Sequence, residues 1–491
     1  MLRATLFAVK SPVDAPRVGA MPQRRSHVAP SAAQTELAAA LATLRASAET
    51  PGDFPPAVLA EAEDATASEP ALDLRHVPFA TLDPEGSRDL DQAFYLERDG
   101  SGYIVRYAIA DVPAFVRPGG AVDAEARRRG QTLYAADGRI PLHPATLSED
   151  RASLLADVDR PALVWTFSLD AAGVVTEFRL ERALIRSRAQ LDYVTTQRSL
   201  DLGEDGPAAL LPEIGSLRLE QERLRGGASL NLPDEEVVRD ADGAYAIERR
   251  SPLPVEEWNA QLSLMTGMAA ASLMLRAGVG ILRTMPEPDD ASFTAFRLQT
   301  EALGRPWVSG TYGEYLRALD RTDPLTLPVL EAAASLFRGA GYLVFDGESP
   351  SNAIQAAIAA PYAHATAPLR RLVDRWVLTI CLAVSNGEAV PEWARESLSE
   401  LPALMQESAQ RASRLNTATI NSVEAALLTP LVGTAIDATV IELRGERALV
   451  QIADPAVTAT APLPTGAKPG SVVRLSIVRA DIAAGEVEFA V

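Results

Sequence analysis

The chain has 491 residues, enough for two to four domains at roughly 100–200 residues each. Hydrophobic residues make up 47% and charged residues 23%, a globular composition, and no apolar run approaches the ~20 residues of a membrane helix. A net charge of −19 argues against a surface that binds nucleic acid or anionic membrane all over, though not against a basic channel inside an acidic shell.

One cysteine, Cys381, excludes an intramolecular disulfide framework and an all-cysteine zinc site. His27, His76, His143 and His364 are widely spaced, which weighs against a histidine-rich metal site. Any metal chemistry must therefore use carboxylates.

Residues 1–30 carry Arg3, Lys10, Arg17, Arg24 and Arg25 against Asp14 alone. With no continuous apolar run they read as a basic arm rather than a secretory leader, and a cytoplasmic location is expected. Pro12, Pro16, Pro22 and Pro30 bar long helices there. Leu37, Leu41 and Leu44 then predict a helix over 35–47, with Thr35 as its cap. A second helix fits 57–64, beyond the break at Pro51–Pro56. Segment 1–74 is thus a basic arm plus a small helical module: either a helix-turn-helix or winged-helix unit, or packing for the next domain.

From His76 the pattern turns strand-like. Phe94 and Leu96 precede Asp99-Gly100-Ser101-Gly102 and Tyr103–Tyr107 follow it, which predicts a hairpin. Residues 162–169 and 174–182 repeat the pattern around Asp170–Gly173. Helices are predicted over roughly 207–225, 255–277, 289–304, 325–338, 366–385 and 391–428. Strands followed by helices read as one large mixed α/β domain over 75–429. Residues 434–440, 447–452 and 472–477, set between Gly and Pro turns, predict a small antiparallel OB-fold barrel over 430–491. The fold class is α+β multidomain.

Three stretches could carry chemistry. In Thr81–Ala93, Asp89 and Asp91 share a face if the backbone is extended, and a tight loop at Pro84 and Gly86 would return Asp83 beside them. Converging carboxylates repel unless a cation sits between them, and oxygen ligands favour Mg²⁺ or Mn²⁺, as in two-metal phosphoryl chemistry. The bland alternative is a solvated acidic turn. In Tyr362–Arg375, Pro368 is expected at the first position of a helix, so that Arg370 and Arg371 fall in its first turn. Cations are unfavourable there unless an anion such as phosphate binds; the alternative is pairing with acids such as Asp374. Glu256 and Glu257 open a long apolar helix, where the dipole alone accounts for them.

Taken together and in order, these segments resemble the ribonuclease II/ribonuclease R family, whose catalytic module is the RNB domain. Thr81–Ala93 resembles its T-I-D-x(5)-D-x-D-D-A motif, and Tyr107–Val112 its A-I-A-D-V strand. Leu133-Tyr134, Ile140–Pro144 and Leu147-Ser148 resemble its Y-L-P, I-P-M-L-P and L-S stretch, Val255–Glu257 its V-E-E start, and Tyr362–Arg375 its Y-x-H-x-T-S-P-I-R-R motif. The resemblance spans about 75–430, followed by a barrel where the family carries an RNA-binding OB fold.

The resemblance implies processive, Mg²⁺-dependent 3′→5′ hydrolysis of RNA to nucleoside 5′-monophosphates. It matches Asp83, Asp89 and Asp91 to metal-binding aspartates and Arg370 to the arginine that steadies the scissile phosphate. Tyr134 and Tyr193 match tyrosines on the last nucleotides, although Tyr193 reads equally as a core-edge tyrosine; Glu256 and Glu257 match glutamates near the 3′ end. His364, Thr366 and Arg371 join the expected substrate-binding set, Arg371 also reading as a structural ion-pair partner.

Gln92 stands where the family usually has a fourth aspartate; its carbonyl could ligate a cation but brings no charge. Ala367 and Leu369 replace Ser and Ile. About eighty residues precede Asp83, too few for the two cold-shock folds common in the family, so a wider entrance and attack on duplexes with short overhangs are expected. Arg127–Arg129 and Arg370-Arg371 are expected to line the RNA channel. A monomer acting on single-stranded RNA 3′ ends is expected, with DNA the least expected substrate and no membrane partner. The alternative kept open by Gln92 is a non-catalytic RNA-binding protein; a specialised processing nuclease is a further reading.

Overall fold

The computed structural model describes residues 24–27 and 32–491, apart from 48–49, 229–233, 240–244, 321–325 and 463–464 and positions 137, 335, 453 and 456. Most of the basic arm expected over residues 1–30 lies outside the described residues.

Two helices open the described chain, α1 (Ala32–Arg45) and α2 (Pro56–Asp64). Helix α1 starts three residues before Thr35, which lies inside the helix instead of capping it. The two helices pack on different partners. Leu37 and Leu41 of α1 join the core of the C-terminal barrel, whereas Val58 and Ala62 of α2 pack beneath Val112, Val116 and Val122.

The larger domain is built on a ring of strands: β1 (Phe79–Asp83), β2 (Gln92–Asp99), β3 (Gly102–Ala110), β4 (Asp159–Leu169) and β5 (Val175–Asp192). The predicted hairpins are β2–β3 and β4–β5. The 18-residue β5 closes the ring, because its first two thirds run antiparallel to β4 and its last six residues parallel to β1. Alternation along these strands sends Phe94, Tyr107, Trp165 and Phe167 inward to one core. The parallel pairing ends with Asp83 opposite Asp192, so two chain exits lie side by side at one rim.

Helices cover that rim. The helix α3 (Ala121–Arg129) precedes a short hairpin, Leu133–Ala135 with Gly138–Ile140. From Asp192 the chain enters α4 (Tyr193–Asp201), capped by the Asp192 carboxylate on the Thr195 amide at 2.9 Å. The long apolar α5 (Pro254–Ala277) packs on α6 (Leu372–Ser385). Gly267 of α5 lies against the incoming chain: a Cβ there would sit 2.1 Å from the Tyr362 ring, and the Gly267 carbonyl accepts the Ala363 amide at 3.1 Å.

Helix α6 starts at Leu372, six residues later than the predicted 366. A single turn forms at 367–371, with the Arg371 amide donating to the Ala367 carbonyl at 2.9 Å, and is not continued. Residues 370–372 instead pair with 130–132, the Thr132 amide donating to Arg370 and the Leu372 amide to Gly130, both at 3.0 Å. The expected position of Arg370 and Arg371 inside the first helical turn is therefore corrected: both precede it, and Asp374 occupies that favourable place.

Helix α7 (Leu401–Leu428) leads to the C-terminal barrel of β6 (Ala435–Arg444), β7 (Arg447–Ile452), β8 (Val457–Pro462), β9 (Val472–Asp481) and β10 (Glu486–Ala490). All pairs are antiparallel, in the order β8-β7-β6-β9-β10, with β8 and β10 approaching at the open seam. The barrel core of Val440, Val450 and Leu475 continues into Val423 and Leu428 of α7. Strands β8 and β10 were not among the predicted barrel strands; β8 reads Val-Thr-Ala-Thr-Ala-Pro, with little apolar bulk to mark it. No described helix is long and apolar enough to cross a membrane.

Candidate active site

At the rim where β1 and β5 end, the chain between Asp83 and Gln92 meets the 362–371 segment, nearly 280 residues away. Asp91 is the junction. Its carbonyl accepts the Ala110 amide at 2.9 Å, which seats it beside β3. Its carboxylate is 3% exposed; one oxygen accepts the Leu369 amide at 2.8 Å and the other lies 3.7 Å from the Arg370 Nε. Burial holds this carboxyl well above its ordinary range, against the pull of Arg370 and the Leu369 amide. Asp83 faces the same space. Burial, with the Asp89 charge adding to it, pushes its carboxyl up to about 7 despite Arg370. Its buried Oδ2 has no hydrogen-bond partner.

Asp89 lies near enough for its charge to act on Asp83, but its carboxylate is already paired. The segment 84–91 is a loop, not an extended strand, and the Asp89 carboxylate is taken by Arg139 from the short hairpin. Arg139 also holds Glu149 at 2.7 Å. Among the described residues, no group of three His, Cys, Asp or Glu side chains is placed to hold a metal ion. Asp83 and Asp91 nonetheless have the character of cation ligands. Asp91 is buried and Asp83 half-buried, both resist ionisation alone, and Asp83 keeps an orphaned buried oxygen. The half-buried Gln92 donates its amide to the Thr366 carbonyl, which an aspartate could not do.

The remaining predicted residues divide by surroundings. The Tyr134 ring is 56% exposed, and the charges of Arg370, Asp89 and Asp91 all reach its hydroxyl. Tyr193 opens α4 and bonds to the buried Asn259; burial, then the Asp83 charge, pushes its hydroxyl up to about 12. Glu256 is engaged in structure: it pairs with Arg250 and accepts the Leu253 amide at 2.9 Å as part of the α5 cap. Glu257 follows it, half-buried. Thr366 is buried, with its carbonyl turned to Gln92. The His364 Nδ1 meets the Tyr342 hydroxyl at 2.8 Å, and burial, then the Arg371 charge, keeps the ring neutral.

Arg371 is buried against Asp374 at 2.8 and 2.9 Å, while Asp374 also accepts the Ala367 amide at 2.7 Å. Burial would raise the Asp374 carboxyl, but Arg371 more than offsets it. Arg375 bonds Asp123 at 2.6 Å with both side chains 2% exposed. The expectation that Arg127–Arg129 line an RNA channel is corrected: Arg127 bonds Asp123 and Glu400, Arg128 bonds Glu125, and buried Arg129 bonds Glu125 and the Gly52 and Pro141 carbonyls. Their side chains hold α3 in place. Arg370, 43% exposed, is the arginine of this segment left open to a ligand.

Sequence reasoning missed Arg139, Asn259, Tyr107 and His143. Arg139 lies in a turn region whose pairing with Asp89 spans fifty residues, and no periodicity reveals that. Asn259, one turn beyond Glu256 on α5, was discernible as the first polar residue inside an apolar helix. Buried Tyr107 bonds Ser263 at 2.8 Å behind Asp83 and Asp91. His143 is buried behind Pro368, to which its ring bonds; burial pushes it down to about 3.

The RNB domain family model matches residues 71–386, and the RNase II-type exonuclease C-terminal S1 domain model matches 435–491. Ribonuclease R of Escherichia coli is 29% identical over 325 residues, 62% of this chain and 39% of that protein. The Arabidopsis thaliana exosome complex exonuclease RRP44 homolog A is 31% identical over 336 residues, 64% of this chain and 35% of that protein. The chain thus spans less than two fifths of each of these relatives' length in the matched region. Among solved structures, Mycoplasma genitalium RNase R with ribose-methylated single-stranded RNA superposes with a TM-score of 0.83 at 15% identity, covering 93% of this chain and 78% of that one. Yeast Ssd1, a pseudonuclease, superposes at 0.66 with 15% identity, over 87% of this chain and 55% of that one. With the RNB model covering well over half of its length and the S1 model following in order, the chain belongs to the RNB-domain family.

Proposed function

We propose that this chain is a divalent-metal-dependent, processive 3′→5′ exoribonuclease that hydrolyses RNA to nucleoside 5′-monophosphates. The observation that carries the reading is the joining of Asp91 to the Leu369–Arg370 turn, which sets a buried carboxylate, with the half-buried Asp83 and its unpartnered Oδ2, beside an open arginine. Asp83 and Asp91 would hold Mg²⁺ or Mn²⁺, which when bound would lower the negative charge of the phosphate oxygens and ease deprotonation of the attacking water. Arg370 binds a non-bridging phosphate oxygen and stabilises the charge that grows on it. The oxygen of water attacks phosphorus, and the bond from phosphorus to the 3′ oxygen breaks. That oxygen takes a proton, leaving an RNA shorter by one residue and a free 5′-monophosphate. The exposed Tyr134 ring offers a face on which any base stacks.

RNA is the proposed substrate class, on the strength of the family and of the C-terminal S1 domain. Single-stranded 3′ ends, and duplexes with short overhangs, are the proposed forms, with 2′-hydroxyl contacts selecting RNA over DNA. A non-catalytic RNA-binding protein is the second reading. It is favoured by Gln92, which adds no charge, and by Asp89, which is neutralised by Arg139.

A 5′-labelled single-stranded RNA, incubated with Mg²⁺ or EDTA and resolved on a denaturing gel, separates the two. Metal-dependent shortening to a very small end product that is lost in Asp91→Asn supports the nuclease. Intact RNA that still shifts on a native gel supports the binder.

A further inference from the structure

We propose that Arg139 is a built-in counter-cation for Asp89, standing at that carboxylate in place of a metal ion and leaving Asp83 and Asp91 as the pair that takes a single divalent cation. The proposal rests on reading this site as a metal-dependent one. Three observations carry it, and each is independent of the family.

The first is occupancy. The Arg139 Nη1 holds the Asp89 carboxylate, and the Arg139 Nη2 holds Glu149 at 2.7 Å. Side-chain exposure is 29% for Arg139, 14% for Asp89 and 26% for Glu149, so water screens this chain of charges only in part. A guanidinium is charged at every accessible pH and bonds carboxylates in a fixed fork, so it stays where a metal ion would exchange.

The second is geometry. Arg139 sits in the two-stranded hairpin directly opposite Tyr134, and that hairpin follows the 130–132 segment that clamps Arg370. The cation is therefore fixed to the same frame as the candidate phosphate-binding arginine. Within this chain of ion pairs Arg139 is the link, with Glu149 steadying it from behind.

The third is charge balance. Asp89 and Glu149 are balanced by Arg139 and by Arg88, 3.9 Å from Glu149, and Gln92 contributes no charge, its amide being used on the Thr366 carbonyl. Half-buried Asp83 and buried Asp91, both acted on by Arg370, remain, and their summed charge matches one divalent ion. A second divalent ion at Asp89 would have to displace a charge-assisted bond and lie beside a fixed positive charge.

Arg139 is thus a positioning residue. The test counts Mn²⁺ bound to the full chain by its paramagnetic signal, without RNA. The wild type should bind one Mn²⁺ at the site, and Asp91→Asn should weaken that binding by about tenfold or more. Arg139→Met frees the Asp89 carboxylate, and should either admit a second Mn²⁺ or tighten the first by about tenfold. Arg139→Lys keeps the charge and should behave as wild type. The double variant Asp89→Asn with Arg139→Met replaces a neutral ion pair by a neutral pair, while Glu149, 26% exposed, keeps Arg88 at 3.9 Å. It should keep one Mn²⁺ at within about twofold of the wild-type affinity, a result that loss of a ligand could not give. Loss of Mn²⁺ in that double variant, to the level of Asp91→Asn, would make Asp89 a ligand and overturn the proposal. Two wild-type equivalents with Asp89 required for the second, or none at all, would overturn it too.

Failure of the proposed function is distinguishable. One Mn²⁺ with this variant pattern but no RNA shortening leaves the counter-cation standing and favours the RNA binder. RNA shortening with Mn²⁺ binding lost in the double variant removes the counter-cation alone.

Discussion

The two sides of the 362–375 segment are built on opposite electrostatic plans. On the inner side Arg371 meets Asp374 and Arg375 meets Asp123, each buried and each with a hydrogen-bonded partner. On the rim Asp91 is buried and Asp83 half-buried, yet Arg370 approaches Asp91 only to 3.7 Å and the Asp83 Oδ2 has no partner. The same residue types sit within a few positions of one another. Paired charges there hold the loop, and under-satisfied ones are left where a ligand can complete them. Burial cost is tolerated on the rim because the inner ion pairs and the clamp to residues 130–132 leave the loop nowhere else to go.

The sharpest way to break this contrast is Asp91→Asn. RNA shortening should fall by about 10²–10³-fold, since a carboxylate that would hold the charge-stabilising cation is removed. The melting temperature should hold or rise, because an amide still accepts the Leu369 amide without a buried charge. A parallel loss of stability would place Asp91 on the structural side. The inner side should answer in the opposite sense. Asp123→Ala strands the buried Arg375 and should cost about 3–5 kcal/mol in denaturant unfolding. A cost near zero would mean that water reaches this pair.

The rim should also show itself in pH. The Asp83 carboxyl rises to about 7 on folding, from an unfolded value near 4, so the folded chain binds the extra proton between those values. Without metal, stability from this group is therefore highest below pH 4 and is lost as pH climbs to about 7. Mg²⁺ should offset that loss, and Asp83→Asn should remove the slope between pH 4 and 7. A metal-free slope that survives Asp83→Asn assigns it elsewhere. The smallest effect is expected at Gln92→Ala, which removes one bond to the Thr366 carbonyl and should cost about 1 kcal/mol. Gln92→Asp should be worse than Gln92→Ala in the metal-free chain, because it turns a carboxylate toward a carbonyl oxygen; the opposite order would mean that this bond does not hold the loop.

Much of the architecture was legible. Hairpins around Asp99–Gly102 and Asp170–Gly173 were visible because turn residues interrupt alternating strands, a pattern written within a dozen positions. The helix at 254–277 announced itself by length and apolar content. The start of α6 was misjudged because Pro368 and Thr366 mimic a helix entry, while pairing to residues 130–132 draws the backbone out of it. The strand at 457–462 escaped for lack of bulky side chains, whereas 486–490 does alternate, Val487 and Phe489 each following a glutamate, and was overlooked. At the site, Asp83, Asp91 and Arg370 were singled out from their motifs, whereas Arg139 was not, since nothing local ties a hairpin arginine to an aspartate fifty residues earlier.

By itself the sequence determined the order of strands and helices, the carboxylate-rich loop and the arginine-bearing turn, because turn chemistry, periodicity and short motifs act over neighbouring residues. Which charges stay unsatisfied was decided only in three dimensions. Asp91 and Asp89 are two residues apart, yet one is drawn to the Leu369 amide and the other to Arg139, because the ring of strands and the clamp at 130–132 bring distant partners to each. Long-range pairing, not residue type, gives Asp89 a close guanidinium partner and leaves the Asp83 Oδ2 without one.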